Sequence, residues 1–147
     1  MILPPRGRKI LFDTNVYIEA IQRGPAVDVY GLLLTTIPRT YMSAVVIQEL
    51  YTGALDTFGE RLVARFVRQT ERTGRLVTPT YRDWREAGRV LARINRQEPS
   101  QWTRLVRLVN DVPLTMSAVQ IGATLYTFNR GDITLIARYK RFSFVLL

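Results

Sequence analysis

The 147-residue chain contains no cysteine and no histidine. Without thiols it forms no disulfides, and a reducing cytoplasm is the expected compartment. With neither thiolate nor imidazole, serine–histidine and cysteine–histidine catalysis are excluded. The same two groups are lost as metal ligands. Any bound metal must therefore take oxygen ligands, which points to Mg²⁺ or Mn²⁺, with Ca²⁺ able to substitute in vitro. No run of about 18 uncharged apolar residues occurs, so no membrane span is expected. The first eight residues lack the basic-then-apolar order of a signal peptide. They read as a flexible extension of one domain covering residues 1–147. Lysine is scarce, present only at Lys9 and Lys140.

What is present is arginine. Lys and Arg together number 21 against 12 acidic residues, a net charge of +9, and 47% of the chain is hydrophobic. That composition is globular, and a chain of this length buries about 70% of its unfolded surface. The positive balance implies a polyanionic partner, nucleic acid or a membrane surface. Arginine's planar fork suits bidentate phosphate contacts better than a lysine point charge does.

The first strong pattern is an apolar strand over Lys9–Phe12 that stops on Asp13 and leads into a helix at Val16–Gln22. Ligands of open α/β sheets gather at the carboxyl ends of strands, so Asp13 is a candidate metal ligand. The plainer alternative is a helix cap. Further helices are expected over Val27–Leu34 and Ala44–Tyr51, the latter capped by Ser43 after a strand at Thr40–Met42 and ended by Gly53. Glu60–Arg72 is amphipathic, with Leu62, Val63, Phe66 and Val67 on one face and Arg61, Arg65, Arg68 and Arg72 on another. After a strand at Leu76–Thr78, Thr80 and Asp83 resemble a capping box for a helix reaching Arg96. Its apolar side carries Trp84, Ala87, Leu91 and Ile94, and Arg82, Arg85, Arg89, Arg93 and Arg96 recur elsewhere on it. Pro99 and Ser100 break the chain before a short helix through Leu108. A separate helix over Leu114–Ile121 has Pro113 in its first turn, and Gly122 ends it. A strand at Ala123–Phe128, a helix at Ile133–Tyr139 capped by Asp132, and a strand at Phe142–Leu146 complete the chain. Alternating strands and helices imply an α/β sandwich around a largely parallel sheet.

Three further acids stand in conspicuous places. Glu49 shares the face of Val45 and Val46 on its helix, where an unpaired carboxylate is costly. Its plainer role is a buried salt bridge to an arginine. Asp111 and Asp132 precede helices, and both could be caps. Together with Asp13 they have room to converge at one rim of the sheet. Like charges so gathered raise one another's pKa values unless a divalent cation compensates. The acids at positions 60, 71, 86 and 98 read as solvated or paired with arginines, and Asp28 as a helix-dipole partner.

Four segments in this order, Phe12–Asn15, Val46–Leu50, Asn110–Ala118 and Gly122–Asp132, resemble PIN-domain ribonucleases, in particular the VapC-type toxins of prokaryotic toxin–antitoxin pairs. The resemblance covers essentially the whole chain after the first eight residues. It implies a three-layer sandwich with a central parallel sheet and an endoribonuclease dependent on one or two Mg²⁺ or Mn²⁺ ions. It further implies 5′-phosphate and 3′-hydroxyl products, a homodimer, and inhibition by a cognate antitoxin. By position, Asp13, Glu49 and Asp111 match the three core acidic residues and Asp132 the fourth. Thr14, Asn15, Thr127 and Asn129 match supporting polar residues. Ile133 stands where an aromatic residue often follows the last acid, Pro113 is unusual, and Asn129 replaces an Asp of some relatives.

On this reading the carboxylates hold the metal, which activates a water for phosphodiester hydrolysis. Glu49 either coordinates or orients that water. Arg61, Arg65, Arg68, Arg85, Arg89 and Arg93 form a salt-sensitive approach for the RNA backbone. An antitoxin strand or helix could dock on the partly apolar surface and insert an arginine into the acidic pocket. Two rivals remain open. One is a basic nucleic-acid-binding module whose acids are only caps and salt bridges; the other is a PIN nuclease of RNA processing. The choice of RNA is not encoded in net charge.

Overall fold

The computed structural model describes residues 4–99 and 102–147. Five strands, β1 (Ile10–Phe12), β2 (Thr40–Ser43), β3 (Leu76–Val77), β4 (Thr124–Thr127) and β5 (Ser143–Leu146), form one sheet in the order β3-β2-β1-β4-β5. Every pairing is parallel. The expected α/β architecture is therefore present, with helices covering a sheet whose central strand is buried throughout. Parallel strands need such cover on both faces, which is why β1 is a continuous apolar run instead of an alternating one.

The helices are α1 (Thr14–Arg23), α2 (Asp28–Thr36), α3 (Ala44–Gly53), α4 (Thr57–Arg72), α5 (Tyr81–Gln97), α6 (Trp102–Ile121) and α7 (Arg130–Ala137). Ser43 caps α3 by accepting from Val45 N at 3.2 Å, while Gly53 is its last helical residue and Ala54 its C-cap. The Thr80–Asp83 capping box forms with both reciprocal bonds. Asp56 starts α4 by accepting from Gly59 N. On α5 the buried residues are Ala87, Val90 and Ile94, whereas Trp84 is 51% exposed and lies off the core face. Within the expected N-terminal extension, Pro4 is buried and its carbonyl accepts from Arg39 Nη2 at 2.9 Å.

The largest departure from the sequence expectation is α6. It runs unbroken through residues assigned to a short helix, a loop and a second helix, with Pro113 in its interior. Proline there removes the bond to the carbonyl of Val109 and is costly. The burial of Leu108, Val112, Leu114, Met116 and Ala118 along the helix offsets that cost,. Ser117 Oγ lies 2.8 Å from Ser43 Oγ, both fully buried, tying α6 to the end of β2.

Tyr17 is the one core residue left polar and unsatisfied among the described residues with an aromatic ring. It packs edge-on to Phe12 and Phe66, and its hydroxyl has no partner. Burial alone pushes its ionisation upward. Tyr17→Phe is therefore expected to raise stability by about 1 kcal/mol. A urea midpoint that moves up at unchanged slope is the readout.

Candidate active site

The strand order turns back at β1: β2 and β3 lie to one side, β4 and β5 to the other. Ligands bind at such a switch point, beyond the carboxyl ends of the strands. Register places Phe12 beside Tyr126, so Asp13, just past β1, and Thr127, the last residue of β4, lie together at the rim of the sheet. Asp13 occupies the N-cap position of α1, yet its side chain makes no capping bond. Its Oδ2 instead accepts from Thr127 Oγ1 at 2.6 Å and Asn15 Nδ2 at 2.8 Å. Asn15 also donates to Thr127 at 3.2 Å and accepts from Phe128 N. These bonds fix the Asp13 carboxylate, which is 4% exposed.

Glu49 projects from α3 into the same place. Its carboxylate accepts from Thr14 Oγ1 on one oxygen and from Asn110 Nδ2 at 2.9 Å on the other. It is paired with no arginine among the described residues, so the salt-bridge alternative is not what the fold uses. Asp111, next to Asn110 on α6, accepts from Asn129 Nδ2 at 3.1 Å. Asp111 Oδ1 has no protein donor among the described residues. Because α6 is continuous, Asp111 is a mid-helix residue and not a cap. Asn129, not Asp132, caps α7. Asp132 lies within the first turn, 5% exposed, and accepts from Asn129 and Arg104.

The electrostatics follow from this crowding. Burial pushes the Asp111 carboxyl up from 3.8 to about 8, and Asp13, Asp132 and Glu49 add repulsion that Arg107 only partly offsets. Burial likewise raises Asp13, with Glu49 adding to it, while the Thr127 and Asn15 hydrogen bonds pull the other way. The four carboxylates thus share one field. Their donors are hard oxygens, the set Mg²⁺ and Mn²⁺ prefer. Among the described residues no group of three or more acids is arranged to hold a metal ion as it stands. The residues fit a divalent ion in donor type and in unrelieved charge, with Asp111 Oδ1 free to take one.

Thr127 Oγ1 bonds Asp13 and also receives from Asn15. On the reading of Asp13 as a metal ligand, Thr127→Val is expected to weaken Mn²⁺ binding about 10- to 100-fold, the usual effect of losing a hydrogen-bond partner of such a carboxylate. A calorimetric titration against wild type checks it.

The helical arginines do not share this place in one way. Arg65, Arg68 and Arg72 line a surface groove of about 500 Å³ with Gln69 and Thr73, and no carboxylate borders it. Arg61, Arg65, Arg68, Arg85 and Arg89 are exposed, and Arg85 lies over the Tyr81 ring. Arg93 differs, for it bonds the Tyr139 carbonyl at 3.3 Å and lies 3.6 Å from Glu86. The cations beside the acids are Arg104 and Arg107 on α6, which the sequence reading passed over, as it did Asn110. Their signal was the helical spacing Arg104, Arg107, Asp111, hidden by the expected break before Pro113.

Compared with curated protein sequences, the chain has no match. Among solved structures, DNA-bound VapBC from Salmonella typhimurium is similar with a TM-score of 0.67 and 18% identity, covering 94% of this chain and 97% of that one. FitAcB from Neisseria gonorrhoeae gives 0.65 and 18%, over 92% and 95% of the two chains. VapBC2 from Rickettsia felis, bound to a DNA fragment from its promoter, gives 0.63 and 16%, over 94% and 98%. At these identities the likeness is one of fold. The PIN domain matches residues 10–139, spanning every acid of the site, and the chain belongs to the PIN-domain family.

Proposed function

We propose that the protein is a Mg²⁺- or Mn²⁺-dependent endoribonuclease and the toxin of a toxin–antitoxin pair. The observation that carries the reading is Asp111, a carboxylate among three others at the switch point of the sheet, with its pKa raised to about 8 by burial and repulsion. Asp13, Glu49 and Asp111 would hold the ion. A divalent ion, when bound, compensates their charge and activates water for attack on phosphorus. Thr127 and Asn15 orient Asp13, Thr14 and Asn110 orient Glu49, and Asn129 orients Asp111. Each carboxylate is thereby held by neutral donors, which aim it without cancelling its charge.

The net charge of +9 favours a polyanionic substrate,. The similarity to VapBC and FitAcB structures supports an antitoxin partner. So does an apolar groove of about 420 Å³ lined by Ile21, Leu33, Leu34 and Phe66, together with residues of α1, α2 and α4. The family resemblance supports a homodimer, which sedimentation of the purified chain tests. No helix among the described residues is long and apolar enough to cross a membrane.

The deciding experiment incubates the chain with single-stranded RNA and with tRNA, in Mg²⁺, in Mn²⁺ and in EDTA. Internal cleavage in either metal and none in EDTA is the expected result. Cleavage in EDTA, or intact RNA under every condition, overturns the reading.

A further inference from the structure

Charge of the opposite sign surrounds the fourth carboxylate. Asp132 Oδ1 accepts from Arg104 Nε at 2.5 Å, and Asp132 Oδ2 lies 3.7 Å from Arg107 Nε. Arg104 also donates to the Gly131 carbonyl, and Asn129 Nδ2 donates to Asp132 Oδ2 at 3.0 Å. Both oxygens of Asp132 are thus engaged. Gly131 lies against this guanidinium, a Cβ there standing 3.4 Å from Arg104 Nη2. Arg104, Arg107 and Asp111 follow at three- and four-residue steps, which sets them along one face of α6. The two arginines are presented differently. Arg104's side chain is 23% exposed, Arg107's is 66% exposed.

We propose that Asp132 anchors an arginine pair and is not a ligand of the ion, and that Arg107, at the rim of the acidic pocket, binds a phosphate of the RNA backbone beside the bond to be cut. The inference rests on the nuclease reading for its substrate. For Asp132 to coordinate an ion it must give up a charge-assisted hydrogen bond to Arg104. That would leave a largely covered guanidinium facing a divalent cation of like sign. Arg107 has the opposite balance. Its contact with Asp132 is long, its side chain stands mostly in solvent, and its planar fork matches two phosphate oxygens. A pocket of carboxylates repels a polyanion, so a substrate phosphate needs a cation at the pocket's edge. Arg107 supplies one a single helical turn from Asp111. Arg104 and Asp132 are positioning residues: they set the rim on which Arg107 sits.

Two binding measurements test the assignment without requiring turnover. In the first, Mn²⁺ is titrated calorimetrically into wild type, Asp132→Asn and Asp111→Asn. Asp132→Asn is expected to bind Mn²⁺ close to wild type, while Asp111→Asn weakens it by about 10-fold or more. Equal losses in both make Asp132 a ligand and overturn the proposal. Should Asp132→Asn not fold with Arg104 left unpaired, the double variant Arg104→Gln/Asp132→Asn removes both charges and carries the same comparison. In the second, fluorescein-labelled single-stranded RNA is titrated with protein in EDTA across a salt series. Arg107→Ala is expected to weaken binding roughly 10-fold and to reduce the slope of log affinity against log salt by about one. Unchanged affinity and slope overturn it. An RNA that binds through Arg107 but is never cut in metal would sink the nuclease reading and leave the phosphate site standing. Metal-dependent cleavage that is indifferent to Arg107 would do the reverse.

Discussion

Asp111→Asn is expected to lower metal-dependent RNA cleavage by about 10³-fold or more, the scale of losing a principal electrostatic element of a site. Asn keeps the size of the side chain and an oxygen for Asn129 Nδ2, its hydrogen-bond partner at 3.1 Å. What it removes is the negative charge. Asp13→Asn should act alike, since an amide oxygen still accepts from Thr127 and Asn15. Both variants should retain the fold, as read by circular dichroism and an intact cooperative melt. Single-turnover cleavage of an end-labelled RNA, at several Mg²⁺ concentrations, measures the loss. Wild-type rates in both variants would remove the carboxylates from the reaction. A rate that recovers at high Mg²⁺ would assign them to metal affinity alone.

The second large effect is on stability. In the folded protein Asp111 holds its proton up to about pH 8, whereas its ordinary value is 3.8. Across that window the folded state binds a proton that the unfolded chain has released, so stability falls as pH rises. The contribution is fully present below about pH 4 and is gone above about pH 8. Asp13 is shifted in the same direction. One pKa unit corresponds to about 1.4 kcal/mol. Allowing for screening at a partly exposed carboxyl, the effect is on the order of a few kcal/mol. In EDTA the melting temperature should drop by about 5–10 °C between pH 5 and pH 8. Asp111→Asn should flatten that slope and melt higher than wild type at pH 8. Added Mn²⁺ should recover the loss at pH 8 and do little at pH 5, where the proton already supplies the relief. A wild-type melting temperature independent of pH in EDTA would contradict the crowding of charge described above.

Two of the four carboxylates could be read from the chain because their placement is locally determined. A short apolar strand ending on an acid places that acid at the edge of a sheet, whatever the rest of the fold does. Asp13 is the instance: it stands at the N-cap position of α1, makes no capping bond, and turns its carboxylate to Thr127 and Asn15. Glu49 was legible through helical periodicity, as an acid on an apolar face.

What could not be read depended on partners far along the chain. Pro113 looked like the opening of a helix because proline is best tolerated there. Burial along α6 overrides that preference, and burial is a property of the assembled core. With the helix divided, Arg104 and Arg107 appeared to lie on a different element from Asp111. Their contact with Asp132, 25 to 28 residues away, was out of view. The cap of α7 was misplaced for a simpler reason. Asn129 and Asp132 are both good capping residues three positions apart, and only the path of the chain out of β4 selects the first.

The adjacency of β1 and β4 has a temporal consequence. Asp13 is made well before the hydroxyl that orients it, which belongs to Thr127, 114 residues later. The order β3-β2-β1-β4-β5 leaves one flank of the first strand vacant until the fourth has emerged and docked. A nascent chain on the ribosome, carrying β1 to β3 and their helices, holds Asp13 and Glu49 without Asp111 or the β4 support. Non-local pairing of this kind is also the slower part of folding. The site is therefore complete only once β4 has docked on β1, and a translation product that stops before α6 carries only half of it.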